Sequence, residues 1–145
     1  MEVNLHPSFC LLWAFLLLTV PLPWLVSAIT AALFHELCHY WAIRTVHGQI
    51  YSLKLQCHGA SMTISPLTAG KEWVCAMAGP AGSLLLFALF KIFPRLALCG
   101  GIQAAFNLLP IYPLDGGRMM RCAGCLFREK YLAKRRISEY NSATK

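Results

Sequence analysis

At 145 residues the chain has room for one domain of ordinary size. Hydrophobic residues make up 57% and charged residues only 13%, with a mean hydropathy of +0.54. A soluble domain carries about a quarter charged residues, so the composition argues against one and points to a membrane protein. The net charge of +7 does not mark a nucleic-acid binder, because no basic groove with interleaved aromatics appears.

The first residues carry Glu2 and no Lys or Arg, so the positive region of a secretory signal is missing and Phe9 to Val20 is read as mature protein. Pro21 and Pro23 interrupt an apolar run that reaches Phe34. Proline in a helix interior removes a hydrogen bond and clashes with the preceding turn. Two helices are therefore expected, at about 7–20 and 24–43, the first only about 20 Å long.

The second helix carries His35-Glu36-Leu37-Cys38-His39. Residues four apart share a helix face, so the two imidazoles stand side by side. That spacing suits Zn²⁺, which takes nitrogen ligands at about 2.0–2.1 Å. Glu36 falls beside the metal, where its carboxylate can take a proton from an activated water. A chance match on a solvated helix is the bland alternative; flanks this apolar make it improbable, since ionisable groups in hydrocarbon are functional by default.

Residues 48–57 alternate polar and apolar, His58-Gly59 reads as a turn, and 60–64 reads as a partner strand. A hairpin cannot sit bare in lipid and must lie at the interface or against protein. His47 and His58 are left out of the site as solvated. The next span runs from Lys71 to about Phe93, with Pro80 as a kink and Ala76, Ala78, Gly79, Ala81, Gly82 and Ser83 as a close-packing surface. A last span begins near Leu96 and breaks between Asn107 and Arg118, where two prolines and two glycines accompany Asp115. Unwound backbone at membrane depth is tolerated only against a protein cavity, and an unpaired Asp there calls for a metal partner.

Bringing Asp115 to His35 and His39 gives three protein ligands with a fourth position open to water, the catalytic zinc arrangement. Asn107 either holds a substrate carbonyl or oxyanion or caps freed backbone groups at the break. The seven cysteines include a lone Cys122-x-x-Cys125 with no second pair, and they imply no disulfide framework. Of the thirteen basic residues, seven lie at or after Arg121 against Glu129 and Glu139. That is the pattern of a cytoplasmic end near anionic lipid.

Three stretches carry a resemblance to a known family: His35-Glu36-Leu37-Cys38-His39 with Phe34 before it, Ala78-Gly79-Pro80, and the run from Asn107 through Pro110, Pro113 and Asp115 to Arg118. The chain resembles the intramembrane site-2 metalloproteases over roughly His6 to Phe127, and looks most like their stage IV sporulation FB-type branch. The resemblance implies His35, His39 and Asp115 as zinc ligands, Glu36 as general base and Asn107 as a substrate contact. It also implies a helical bundle in a bacterial membrane, cleaving membrane-embedded or membrane-tethered peptides near the cytoplasmic face, in the sporulation branch a sigma-factor precursor. The chain departs from the family pattern at Cys38, where Gly is usual, and at Ser83, where Asn is usual.

The full expectation is a mainly α, polytopic membrane protein with about four transmembrane helices and a small β-hairpin between the second and third. Residues 1–127 would form the metalloprotease core and 128–145 a basic cytoplasmic tail. The expected partners are a membrane-borne peptide substrate and the lipid bilayer, with no nucleic acid; a second copy of the chain or an inhibitor protein is a further expected partner. A metal-dependent lipid or amide hydrolase is the alternative, since it would use the same site.

Overall fold

The computed structural model describes residues 2–5, 7–56 and 59–143. Pro7 opens the first helix, α1 (Pro7–Thr19), and the Pro21–Pro23 pair separates it from α2 (Leu22–Thr45). Proline is well placed there, because the first turn of a helix leaves its N–H groups without intrahelical partners. The α2 helix ends where His47 takes a φ of 61° and the N–H of Gly48 donates to the carbonyl oxygen of Ile43 at 2.8 Å. A Cβ at Gly48 would run into the Ile43 side chain, so glycine is required at this stop.

Between α2 and the next helix lie β2 (Ile50–Gln56) and β3 (Gly59–Ile64), paired antiparallel as the alternation of residues implies. His58 and Cys57, at the expected turn, lie outside the described residues. The sheet has a third member that the sequence did not announce: β1 (Glu2–Leu5) pairs parallel with the outer side of β2. Four residues are too few for a period-two pattern to register.

Helix α3 (Ala69–Ala88) contains Pro80 and is the central element, with α2, α4 (Pro94–Asn107) and α5 (Asp115–Ala143) packed around it. Beside Leu25, Ile43 and Leu86, many buried positions are small: Ala31, Cys75, Ala76, Gly79, Gly82, Ser83, Ala97, Gly100 and Ala104. Small residues at helix crossings let backbones approach closely. Many other large apolar residues face outward, with Leu18 88%, Leu33 66%, Leu85 63% and Ile102 69% exposed.

Four transmembrane helices were expected; among the described residues, no helix is long and apolar enough to cross a membrane. At 1.5 Å per residue, α1 and α4 reach only about 20 Å, short of a hydrocarbon core near 30 Å. The longer α2 and α3 are diluted by polar residues that include His35, Glu36 and His39 on the one, and Lys71 and Glu72 on the other. Helix α5 runs without a break from Asp115 to Ala143 and carries the basic residues that follow Phe127.

Candidate active site

Helix α2 sets its two imidazoles one turn apart, with ring centroids 4.8 Å from each other and planes at 79°. Both are buried, as is Asp115 at the first turn of α5. The Nε2 atoms lie 3.1 Å apart, and Oδ2 of Asp115 is 3.2 Å from His35 Nε2 and 3.1 Å from His39 Nε2. Three potential ligand atoms thus form a nearly equilateral triangle. A tetrahedral ion with bonds of about 2.0–2.1 Å holds its ligands about 3.3 Å apart, so the triangle has the size such an ion requires.

The outer hydrogen bonds fix which atoms face the centre. His39 Nδ1 lies 2.7 Å from the backbone carbonyl oxygen of Cys75. A carbonyl only accepts, so Nδ1 carries the proton, and in the neutral imidazole Nε2 keeps its lone pair. That lone pair points at a carboxylate oxygen, another acceptor, in a buried place. Acceptors facing one another without a donor are costly, and a cation between them removes the conflict. His35 Nδ1 is 2.9 Å from Ser83 Oγ, and the tautomer donating to that oxygen frees the second Nε2 in the same way. The donor set and its hydrogen bonding therefore fit a bound metal.

Glycines bring these groups together. A Cβ at Gly79 would overlap Nε2 of both histidines, so α3 can cross α2 at this height only without a side chain. Residues 108–114 make a tight passage in which Ile111 N–H donates to the Leu109 carbonyl and Leu114 N–H to the Ile111 carbonyl. The α5 helix starts immediately after, and Cβ atoms at Gly116 or Gly117 would strike the backbone of Leu108 or Ile111. The Gly-Gly pair is what lets the helix bearing Asp115 begin against its own preceding loop.

A cavity of about 560 Å³ opens over the triangle. Its walls include Glu36, Asn107, Tyr112 and Arg118 on the helical side and Met62 and Ile64 of β3 opposite. Glu36 is half-buried and stands outside the ligand triangle, within reach of the space above it. Asn107 also lines the cavity, but its Nδ2 donates to the Gln103 carbonyl oxygen at 3.1 Å, which is the capping role.

Some of the site was not anticipated. Ser83 and the Cys75 carbonyl orient the imidazoles, although α3 read only as a packing surface; the clue in the sequence was a serine one turn after Gly79. Cys38, which stands where the family pattern has Gly, puts a thiol on the helix that carries the two histidines. Its Sγ occupies the space beside Gly82 on the seam between α2 and α3, and it is not in the ligand group. Cys122 is buried and Cys125 exposed, and among the described residues they form no metal-holding group. His47 is exposed at the end of α2, and His58 lies outside the described residues.

No family model matches the chain. It is 32% identical over 121 residues to a Synechocystis sp. protein provisionally named a zinc metalloprotease. That match takes in 68% of this chain and 32% of the relative, so it spans about a third of the relative's length. Among solved structures the chain is similar to the site-2 protease from Methanocaldococcus jannaschii, with a TM-score of 0.69 and 22% identity. The likeness covers 89% of this chain and 68% of that one, and it shows a shared fold.

Proposed function

We propose that the protein is a zinc-dependent endopeptidase working at a bilayer, on peptides embedded in or tethered to the membrane. One observation carries the reading: His35 Nε2, His39 Nε2 and Asp115 Oδ2 converge in a buried place at 3.1–3.2 Å, the spacing of three ligands on a tetrahedral ion. His35, His39 and Asp115 would hold the ion, leaving one position facing the cavity. Zinc in that position supplies a Lewis acid that lowers the pKa of water from about 15.7 toward 7 and polarises a carbonyl. Glu36 takes the proton of the attacking water and passes it to the departing amide nitrogen. The C–O bond forms first, the C–N bond then breaks, and one water yields one carboxylic acid and one amine.

The wall opposite the ligands supports a peptide over a lipid. Strand β3 pairs with β2 on one side, and among the described residues its other edge has no strand beside it. Such an edge offers backbone donors and acceptors to an extended chain. A lipid acyl group would leave those groups unmatched.

The outward-facing Leu18, Leu33, Leu85, Ile102 and Phe106 support a bilayer setting, since so many exposed large apolar side chains are rare on proteins surrounded by water. The setting belongs to the assembled bundle surface rather than to any one helix. The motif from Asn107 to Arg118 extends the reading to the sporulation-type branch, with a membrane-tethered precursor as substrate and the site toward the cytoplasm. An inhibitor protein or a second copy would then regulate access.

The test is Glu36→Gln in zinc-loaded protein incubated with casein. Loss of cleavage with zinc stoichiometry unchanged is the expected result; undiminished cleavage overturns the reading.

A further inference from the structure

We infer that Arg118 forms an anion-binding subsite in the cleft, where it takes the carbonyl oxygen of the scissile peptide bond as that oxygen becomes negative. The inference deepens the peptidase reading and rests on it. Arg118 lies one helical turn after Asp115, with Nη1 3.7 Å from Asp115 Oδ1 and 29% of its side chain exposed. Among the described residues the guanidinium makes no hydrogen bond, although it carries five N–H donors. It is also the one Lys or Arg lining the cavity, which it shares with Glu36 and the ligand triangle.

Two other polar groups lining the cavity are engaged elsewhere. Glu72 lines the same cavity, but its Oε1 accepts from Arg121 at 2.8 Å. Asn107, for which the sequence left an oxyanion contact or a capping role open, has its Nδ2 on the Gln103 carbonyl. Arg118 is left as a charged donor, anchored at one corner by Asp115 and free to direct its remaining N–H groups into the cleft. A guanidinium keeps its charge in low dielectric and matches a planar or tetrahedral oxyanion through paired donors.

In the addition step the water oxygen bonds to the carbonyl carbon, the π pair moves onto the carbonyl oxygen, and Glu36 receives the water proton. Arg118 meets the negative charge on that oxygen. On collapse the pair returns, the C–N bond breaks, and the nitrogen leaves with the proton from Glu36. A donor that matters only while charge develops affects kcat more than substrate binding.

The experiment compares wild type, Arg118→Gln and Arg118→Lys, all zinc-loaded, by three measurements. These are casein cleavage, zinc affinity by chelator competition, and calorimetric binding of phosphoryl-leucyl-tryptophan, whose tetrahedral phosphoryl group imitates the adduct. Removing one oxyanion donor costs about 10²–10³ in kcat, so Arg118→Gln is expected to lose that much. KM and zinc affinity should stay within about twofold, affinity for the phosphoryl dipeptide should fall in parallel with kcat, and Lys should restore part of both. Unchanged kcat in an active Arg118→Gln overturns the subsite. Loss of zinc affinity with activity recovered by excess zinc also overturns it, since Arg118 then only positions Asp115. If Gln does not fold, the Lys variant decides: a fall in kcat and in phosphoryl binding at full zinc occupancy supports the subsite, and wild-type behaviour sinks it. Inactive wild type with zinc in place removes the peptidase reading itself, before any variant is made.

Discussion

The imidazole of His39 gives its Nδ1 proton to the backbone carbonyl of Cys75 at 2.7 Å, while that of His35 meets a side chain, the hydroxyl of Ser83, at 2.9 Å. One orienting group can be deleted by substitution and the other cannot. Ser83→Ala should lower zinc affinity about 10–100-fold, the usual cost of removing a group that orients a ligand. Cys75→Ala keeps the carbonyl and should leave zinc affinity within about twofold, at a stability cost of about 1 kcal/mol for the lost buried thiol. Chelator competition on the two variants reads the contrast, and equal affinities would remove the role given to Ser83.

Gly79 and Gly70 share α3 and differ in surroundings. A Cβ at Gly79 meets the Nε2 atoms of both histidines, whereas nothing lies within 4 Å of one at Gly70. Gly79→Ala is expected to abolish zinc binding and to destabilise the fold by about 1–3 kcal/mol through overpacking. Gly70→Ala sits in an open helical position and should stabilise slightly, by about 0.4–1 kcal/mol. Metal content and thermal midpoint, measured on both, test the pair.

How much was legible in the sequence divides along physical lines. The paired imidazoles follow from the helical period alone, and the breaks at Pro21 and at 108–114 follow from missing donors and forced turns. The fold-back of Asp115 onto α2 was argued from the cost of a lone buried acid, and the structure brings those atoms to within 3.2 Å. Ser83 was misjudged because a serine among glycines and alanines looks like packing; only the crossing of α3 over α2 turns it toward His35. The helix lengths were not legible, because average hydropathy says neither that small residues face inward nor that two apolar helices stop after about 20 Å. The role of Asn107 stayed open because one residue at a helix end serves either backbone or ligand, and sequence carries no angle to choose between them.

Zinc should be a stabiliser as well as a reagent. An ion that binds the folded state and not the unfolded chain adds RT ln(1 + [L]/Kd), about 4 kcal/mol at a thousandfold excess over Kd. Stripping the metal removes the ion that would tie His35 and His39 of α2 to Asp115 of α5. Chelation is therefore expected to lower the thermal midpoint and to abolish cleavage together, and added Zn²⁺ should restore both. Activity that survives complete metal removal, checked by elemental analysis, would contradict the ligand triangle.

The second half of α5 gives the last prediction, on the membrane setting. Met120, Phe127 and Tyr131 are spaced seven and four apart, so they form one stripe, and they are 62%, 75% and 68% exposed. Arg121, Arg128 and Arg135 repeat every seven residues along one flank of that stripe, and Lys130 and Lys134 lie along the other. Cations flanking an apolar stripe suit a helix lying in a lipid interface, the rings dipping inward while the charges reach the headgroups. Each basic residue near an anionic surface contributes about 1 kcal/mol, so replacing Arg128, Lys130, Lys134 and Arg135 by Gln should cost about 4 kcal/mol of interfacial binding. In nanodiscs, amide exchange over residues 124–139 should be slower with phosphatidylglycerol than with phosphatidylcholine. The difference should vanish in the four-Gln variant and shrink in high salt, because screening weakens headgroup attraction but not ring burial. Equal exchange in both lipids would place this helix away from the membrane surface.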